Sequence, residues 1–179
     1  MNITFITSNK SKSDQVAKIL NIDVIYKSLD LPEIQSLDLD EIVIQKTKDA
    51  YFIVKSTVLV EDASLVYHAL GNLPGPLIKW FYQELGNKGL CRLINHYNKD
   101  RSATAKIAYC LYNGDEPHIF KYQVAGRIAA YPRGENGFGW DPIFIPNDSK
   151  LTWAEINDPN EGSFAMRKKA LEKLLEYLI

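Results

Sequence analysis

The chain has 179 residues, room for one domain, or two lobes around one cleft, with a sizeable core. Hydrophobic residues make up 46% of it and charged residues 24%, an ordinary globular balance. A net charge of −1 excludes the basic excess that a nucleic-acid surface requires, and no apolar run approaches the roughly 20 residues that a membrane-spanning helix needs.

Asn2–Thr7 is alternating and β-prone, and a polar turn follows it at once. Val16, Ala17, Ile19 and Leu20 then share one face of a helix over about Lys12–Leu20, and Ile22–Tyr26 reads as a second strand. A β-α-β start of this kind favours parallel pairing. Leu29–Leu39 is acidic, carries Pro32 and reads as a loop. Asp40 is the expected N-cap of a helix over Glu41–Val54, with Val43, Ile44, Ala50, Tyr51 and Val54 as its apolar stripe. Thr57–Val60 is a short apolar strand, and its C-terminal edge carries Glu61 and Asp62.

Gly71–Pro76 is a turn cluster, and Ile78–Leu85 and Lys88–Tyr97 have helical patterns. Ser102–Tyr112 and His118–Arg127 read as antiparallel strands joined through Asn113-Gly114-Asp115, a hairpin signal. A glycine-rich loop over Arg133–Gly139 precedes a short strand near Pro142–Ile145. The last helix, about Ser163–Leu178, is expected to bury Ala170, Leu171, Leu174, Leu175 and Leu178. The whole reads as an α/β fold, a mixed sheet with helices around it. Two cysteines without CxxC spacing, and a start lacking a basic and then apolar leader, point to a reducing compartment, the cytoplasm.

Four constellations can carry chemistry. Thr7-Ser8-Asn9-Lys10-Ser11-Lys12 opens a helix, where backbone N–H groups, small polar side chains and lysines suit a phosphate. It lacks P-loop spacing, and a simply capped helix start is the other reading. Glu61-Asp62 at a strand end projects two carboxylates in different directions, because side chains alternate. Ligands of open α/β sheets bind outside the carboxyl ends of strands, where an Asp can hold Mg²⁺ or take a proton from water. The same pair also reads as an N-cap by Asp62 beside a solvated Glu61. Glu33 is a loop glutamate that becomes a metal ligand only with a partner such as Asp62. Gly137-Phe138-Gly139-Trp140-Asp141-Pro142 offers a stacking face for a base and glycines for close backbone approach, or else a hydrophobic turn packed on the core.

Together these residues resemble the inosine triphosphate pyrophosphatase family, in order along nearly the whole chain. The resemblance runs through Phe5-Ile6-Thr7-x-Asn9, Asp30-Leu31-Pro32-Glu33, Glu41 through Gln45-Lys46, and Val60-Glu61-Asp62. It continues through Ala69-Leu70-Gly71-x-Leu73-Pro74-Gly75-Pro76, Lys79-Trp80-Phe81, Gly126-Arg127-Ile128, Phe138-Gly139-Trp140-Asp141-Pro142 and Arg167-x-x-Ala170-Leu171. It implies a single pyrophosphatase domain over residues 1–179, an elongated two-lobed α/β fold on a long mixed sheet, and a homodimer. It implies that Thr7, Ser8, Asn9, Lys12 and Lys46 hold phosphate and that Lys79 contacts the nucleotide. Glu33 and Asp62 would hold Mg²⁺, with Mn²⁺ able to substitute, and Asp62 would activate water. Phe138, Gly139, Trp140 and Asp141 would form the base and sugar pocket, with Arg167 reaching the purine and Met166 beside it.

The chemistry that follows is release of pyrophosphate from a nucleoside triphosphate, inosine and xanthosine triphosphates being the family's substrates. The chain departs from the family at Ser8, where glycine is usual, at Ala63, and at Glu161, where a lysine is expected. It departs most at Ala165-Met166-Arg167, where the family carries Ser-His-Arg. A thioether is a weak acceptor beside an imidazole, so altered base preference is expected. A nucleotide-binding protein without turnover is the non-enzymatic alternative, and the retained carboxylate and lysine set argues against it.

Overall fold

In the computed structural model, residues 2–95, 100–158 and 160–179 are described. Ile3–Ile6 forms β1, four residues buried on both sides. Thr7 ends the strand, and its Oγ1 accepts the Asn9 N–H at 3.1 Å. Asn9 in turn caps α1, Lys10–Leu20, accepting from the Lys12 N–H at 3.4 Å. The helix therefore starts two residues earlier than its apolar stripe suggested. Val16 and Leu20 of that stripe are buried. The second strand, β2, spans Val24–Lys27 and pairs parallel with β1, as the β-α-β reading expects.

The next helix, α2, spans Leu39–Val54 and is capped by Asp38, whose carboxylate accepts the Asp40 N–H at 2.9 Å. The expected cap, Asp40, lies in the first turn instead and pairs with Lys121. The following strand corrects the sequence reading most. β3 runs Val58–Tyr67, so Glu61 and Asp62 lie inside a strand of 10 residues. No helix begins at Asp62, and the N-cap alternative falls. Leu65, Val66 and Tyr67 are buried, and Leu65 and Val66 pair with β4, Pro74–Gly75.

Beyond it, α3 covers Ile78–Arg92 with non-helical backbone at Gly86 (φ 58°), which divides it close to where the sequence placed two separate helices. The expected C-terminal end of the second, Tyr97, lies outside the described residues. Strands β5 (Ser102–Tyr112) and β6 (His118–Ile128) match expectation within one residue. A 3₁₀ turn at Asp141–Ile143 delays β7 to Phe144–Pro146. The final helix, α4, spans Ser163–Leu178, with Ala170, Leu171 and Leu174 buried and Leu175 and Leu178 half-buried.

The sheet has seven strands in the order β2-β1-β3-β5-β6-β7, with β4 paired to β3. It is mixed, since β1 pairs parallel with β2 and β3 while β3–β4 and β6–β7 are antiparallel. The chain divides into two compact units. The first comprises Met1–Asp62, Ile107–Tyr122 and Lys168–Ile179, and the second Ala63–Lys106 and Gln123–Arg167.

In the first unit, Ile6, Val58, Val60, Ala108 and Cys110 pack with Leu39, Val43 and Ala50 of α2. Even-numbered residues of β3 therefore face α2, and odd-numbered ones face the other side, by the period of two. The connectivity agrees. The strand order takes the chain from β1 to β2 and then back across to β3, and with the right-handed crossovers that are the rule for parallel strands α1 and α2 fall on opposite faces of the sheet. Both cysteines are buried, Cys110 in the first unit and Cys91 in the second, and burial pushes the Cys91 thiol up to about 11. Among the described residues no helix is long and apolar enough to cross a membrane.

Candidate active site

Strand order and crossover make β1 a topological switch point, since the chain leaves it towards β2 and later returns on its other side at β3. The last β1–β3 rung is Ile6 to Val60. Glu61 and Asp62 are thus the first β3 residues beyond the carboxyl end of β1, and the Thr7–Asn9 turn leaves β1 at the same level. The sequence expected a carboxyl end at this place and attributed it to β3. The strand that ends there is β1.

Alternation sends the two carboxylates apart, as their partners confirm. Asp62 joins the α2 face, where its Oδ2 accepts from Lys46 Nζ at 2.9 Å. The same ammonium donates to Glu33 Oε1 at 3.1 Å. Lys46 sits on α2 four residues beyond buried Ile42 and three beyond buried Val43, so helical spacing carries it to the sheet-facing side. Its side chain is 15% exposed, against 20% for Asp62 and 29% for Glu33. Burial disfavours the ammonium, but Asp62 and Glu33 outweigh it and raise the Lys46 pKa, so the lysine stays charged.

Glu61 joins the α1 face. Its Oε1 accepts from Lys12 Nζ at 2.7 Å and its Oε2 from the Tyr109 hydroxyl at 2.6 Å. Far from solvated, its side chain is 5% exposed. Lys12 lies in the first turn of α1, next to Asn9 and the exposed Ser8. The first unit thus gathers Thr7, Ser8, Asn9 and Lys12 at one helix start, and Glu33, Lys46 and Asp62 into one ionic group.

The second unit carries the aromatic group. Asp141 is 3% exposed, and its Oδ2 accepts from the Phe138 N–H at 3.0 Å and from Ser163 Oγ at 2.8 Å. That carboxylate closes a tight turn over Phe138-Gly139-Trp140 and ties it to the start of α4. Phe138 remains 43% exposed, and the Arg167 guanidinium lies 4.5 Å from its ring centroid. Arg167 Nη1 also donates to the Ser163 carbonyl at 3.2 Å. Asn87, just past the Gly86 break, donates to the Gly139 carbonyl at 2.9 Å. Trp140 packs against Phe144 and Trp153 at 6.0 and 5.5 Å between centroids.

Met166 is 1% exposed, so its thioether belongs to the packed side of α4. Lys79, in the first turn of α3, is exposed, with its ammonium 5.1 Å from the Trp80 ring centroid. Sequence reasoning missed Tyr109, Ser163, Asn87 and Trp153. Tyr109, Ser163 and Asn87 sit in ordinary strand or helix patterns and Trp153 in a 3₁₀ turn that the sequence reading did not assign, and only the fold brings each to a named partner.

Gly137 fixes the turn. Its φ is +74°, and a Cβ there would lie 2.1 Å from Asp141 Oδ2. Gly137→Ala is expected to destabilise the protein by about 1–3 kcal/mol and to loosen Phe138. Thermal unfolding checks the first effect, and acrylamide quenching of tryptophan fluorescence, to which Trp140 of the same turn contributes, checks the second.

Chemically, the first unit offers a helix start, two lysines and a pair of carboxylates that share a cation. That set suits a polyphosphate with a hard metal ion. The second offers an exposed ring backed by a guanidinium, which suits a planar base.

Residues 3–177 match the family model described as Ham1 family. The chain is 42% identical over 176 residues to inosine triphosphate pyrophosphatase 2 of Trypanosoma cruzi (strain CL Brener), covering 96% of this chain and 89% of that one. It is 40% identical over 180 residues to inosine triphosphate pyrophosphatase of Schizosaccharomyces pombe (strain 972 / ATCC 24843), with 99% and 95% covered. Among solved structures it is similar to a HAM1 protein from Coxiella burnetii, with a TM-score of 0.85, 25% identity and 99% and 98% of the two chains covered. It is also similar to the Staphylococcus aureus Ham1 protein, with a TM-score of 0.78, 26% identity and the same coverage.

Proposed function

The chain belongs to the Ham1 family, and from that premise we propose that it hydrolyses a deaminated purine nucleoside triphosphate to the monophosphate and pyrophosphate. The observation that carries this reading is the Glu33–Lys46–Asp62 group beside the carboxyl end of β1. The names of the T. cruzi and S. pombe relatives support the substrate class.

Family membership implies a divalent metal, and the donor chemistry fits one. Glu33 and Asp62 both lie within hydrogen-bonding distance of a single ammonium, so two carboxylates converge on one cation. Among the described residues no cluster of three or more His, Cys, Asp or Glu could cage a metal. Mg²⁺ commonly binds through one or two carboxylates and takes its other oxygens from substrate phosphates and water. We assign Mg²⁺ to Glu33 and Asp62, with Mn²⁺ as a substitute. When bound it would neutralise phosphate oxygens and acidify a nearby water.

Every other role falls to the chain's own residues. Thr7, Ser8 and Asn9, with the first N–H groups of α1, hold phosphate oxygens, and Lys12 and Lys46 neutralise them. Asp62 takes the proton from a water that attacks the α-phosphorus. The bond from that phosphorus to the α-β bridging oxygen breaks, and pyrophosphate leaves against the two ammonium groups. Lys79 contacts the nucleotide. Phe138 stacks the base, Gly139 allows close approach, and Trp140 and Asp141 shape the pocket. Arg167 supplies donors to a purine oxo group, with Met166 packed behind it. A homodimer in the cytoplasm completes the proposal.

A panel of triphosphates with Mg²⁺, read by pyrophosphate release, tests the reading. Inosine and xanthosine triphosphates are expected to turn over, with a margin over ATP narrower than an imidazole at position 166 would give. Discrimination by a buried hydrogen bond reaches about 10⁴-fold, and a site lacking that bond retains much less. Release of orthophosphate from any substrate, or binding without turnover across the panel, refutes the proposal.

A further inference from the structure

Glu61 stands next to the proposed catalytic aspartate, yet its partners tie it to other groups. Lys12 holds one of its oxygens at 2.7 Å and Tyr109 holds the other at 2.6 Å. Tyr109 is fully buried on β5, the sheet neighbour of β3, and its ring packs 6.3 Å from that of Phe5. Its parity matches the arrangement. Ala108 and Cys110 pack with the α2 face, so Tyr109 points to the other face with Glu61.

A carboxylate this far out of water needs its lone pairs satisfied. Lys12 supplies an opposite charge, but its four-carbon stem is flexible and cannot fix the carboxylate alone. A buried tyrosine has two side-chain torsions, both held by packing, and its hydroxyl donates without adding charge. At 2.6 Å this is the short, charge-assisted kind of bond. Tyr109 therefore fixes Glu61 in place, and Glu61 fixes the ammonium of Lys12 in the first turn of α1, beside the Thr7–Asn9 turn.

We propose that Tyr109 is a positioning residue for phosphate binding, acting through Glu61 to hold Lys12, and that Glu61 is committed to this chain of bonds and is not a metal ligand. The inference rests on the reading that Lys12 binds phosphate. It assigns the adjacent carboxylates to separate tasks on opposite faces of the sheet. Asp62 serves metal and water, and Glu61 serves the lysine.

The test is calorimetric binding of inorganic tripolyphosphate without divalent metal, using Tyr109→Phe, Glu61→Gln, the double variant and Lys12→Ala. Tyr109→Phe removes one oxygen atom and keeps the packed ring. It is expected to weaken tripolyphosphate binding about tenfold, with a matching rise in KM and kcat within about twofold. In the Glu61→Gln background the same change should add less than about twofold, because residues in one chain of bonds are not additive. Wild-type affinity in Tyr109→Phe overturns the proposal, as does a full tenfold effect in both backgrounds. A lowered melting temperature with unchanged affinity overturns it too, because that marks a merely structural tyrosine. Unchanged affinity in Lys12→Ala removes the phosphate role of Lys12 and the proposal with it. Weakened Lys12→Ala beside unaffected Tyr109→Phe removes the proposal alone.

Discussion

Asp62→Asn is expected to lower kcat by about 10²–10⁴-fold while the protein still folds. The amide is isosteric and can still accept from Lys46, which also keeps Glu33 at 3.1 Å. The stability cost is therefore that of one charge-assisted bond, about 1–3 kcal/mol. What the amide cannot do is take a proton or carry the negative charge a metal requires. Losing the proton acceptor lowers kcat, and losing a carboxylate proposed to hold the metal adds a smaller rise in KM, which excess Mg²⁺ should reduce. A mainly raised KM would instead mean that Asp62 only orients Lys46. Steady-state kinetics on inosine triphosphate separates the two outcomes. Activity equal to wild type would remove Asp62 from the chemistry.

That prediction depends on where Asp62 stands in the fold, a point only partly legible in the sequence. The periodicity of α4 and of β5 gave their bounds closely, because long apolar patterns leave few alternatives. Glu61-Asp62 read as a strand end because the apolar run Thr57–Val60 stops there. The structure accommodates them because Lys12, Tyr109 and Lys46 come from three other elements to meet them. Nothing local in Val58–Tyr67 records those partners.

The helix cap moved from Asp40 to Asp38 for a similar reason. Both residues can cap, and the choice fell to Ser36, whose hydroxyl accepts from the Asp38 N–H at 3.0 Å and donates to Glu41 at 2.6 Å. The Phe138 loop was legible as a pattern of glycines and aromatics. Its use of Asp141 was not. That residue was expected among the pocket contacts, and the structure uses its carboxylate to close the turn and tie Ser163. The resemblance named the loop, and the geometry adds what it could not, that the Asp141 carboxylate is spent on the Phe138 N–H and the Ser163 hydroxyl.

Lys46→Met should produce the second large effect, lowering turnover and stability while enlarging the stabilisation gained from Mg²⁺. In the protein as it stands, the Lys46 ammonium links two half-buried carboxylates, at 2.9 and 3.1 Å. Methionine keeps the length of the stem and removes the charge, so Glu33 and Asp62 face each other without a shared cation. Breaking a buried pair by removing one partner costs about 3–5 kcal/mol, and the partial exposure of both carboxylates reduces that to about 1–3 kcal/mol. Turnover should fall by about 10²–10³-fold if Lys46 is the cation proposed to stabilise the departing pyrophosphate.

Stability should recover when Mg²⁺ is added, since a divalent ion can take the place of the lost ammonium between the two carboxylates. A ligand at about 100 times its Kd contributes about 2.7 kcal/mol, enough to offset the loss. The wild type should gain less from the same addition, because there the ion must compete with Lys46 for those oxygens. Melting curves of both proteins across a Mg²⁺ titration give the comparison directly. Equal shifts in the two proteins would mean that Glu33 and Asp62 do not form the metal pair. A larger shift in Lys46→Met would mark the lysine as the group that holds the two carboxylates together until metal and phosphate arrive.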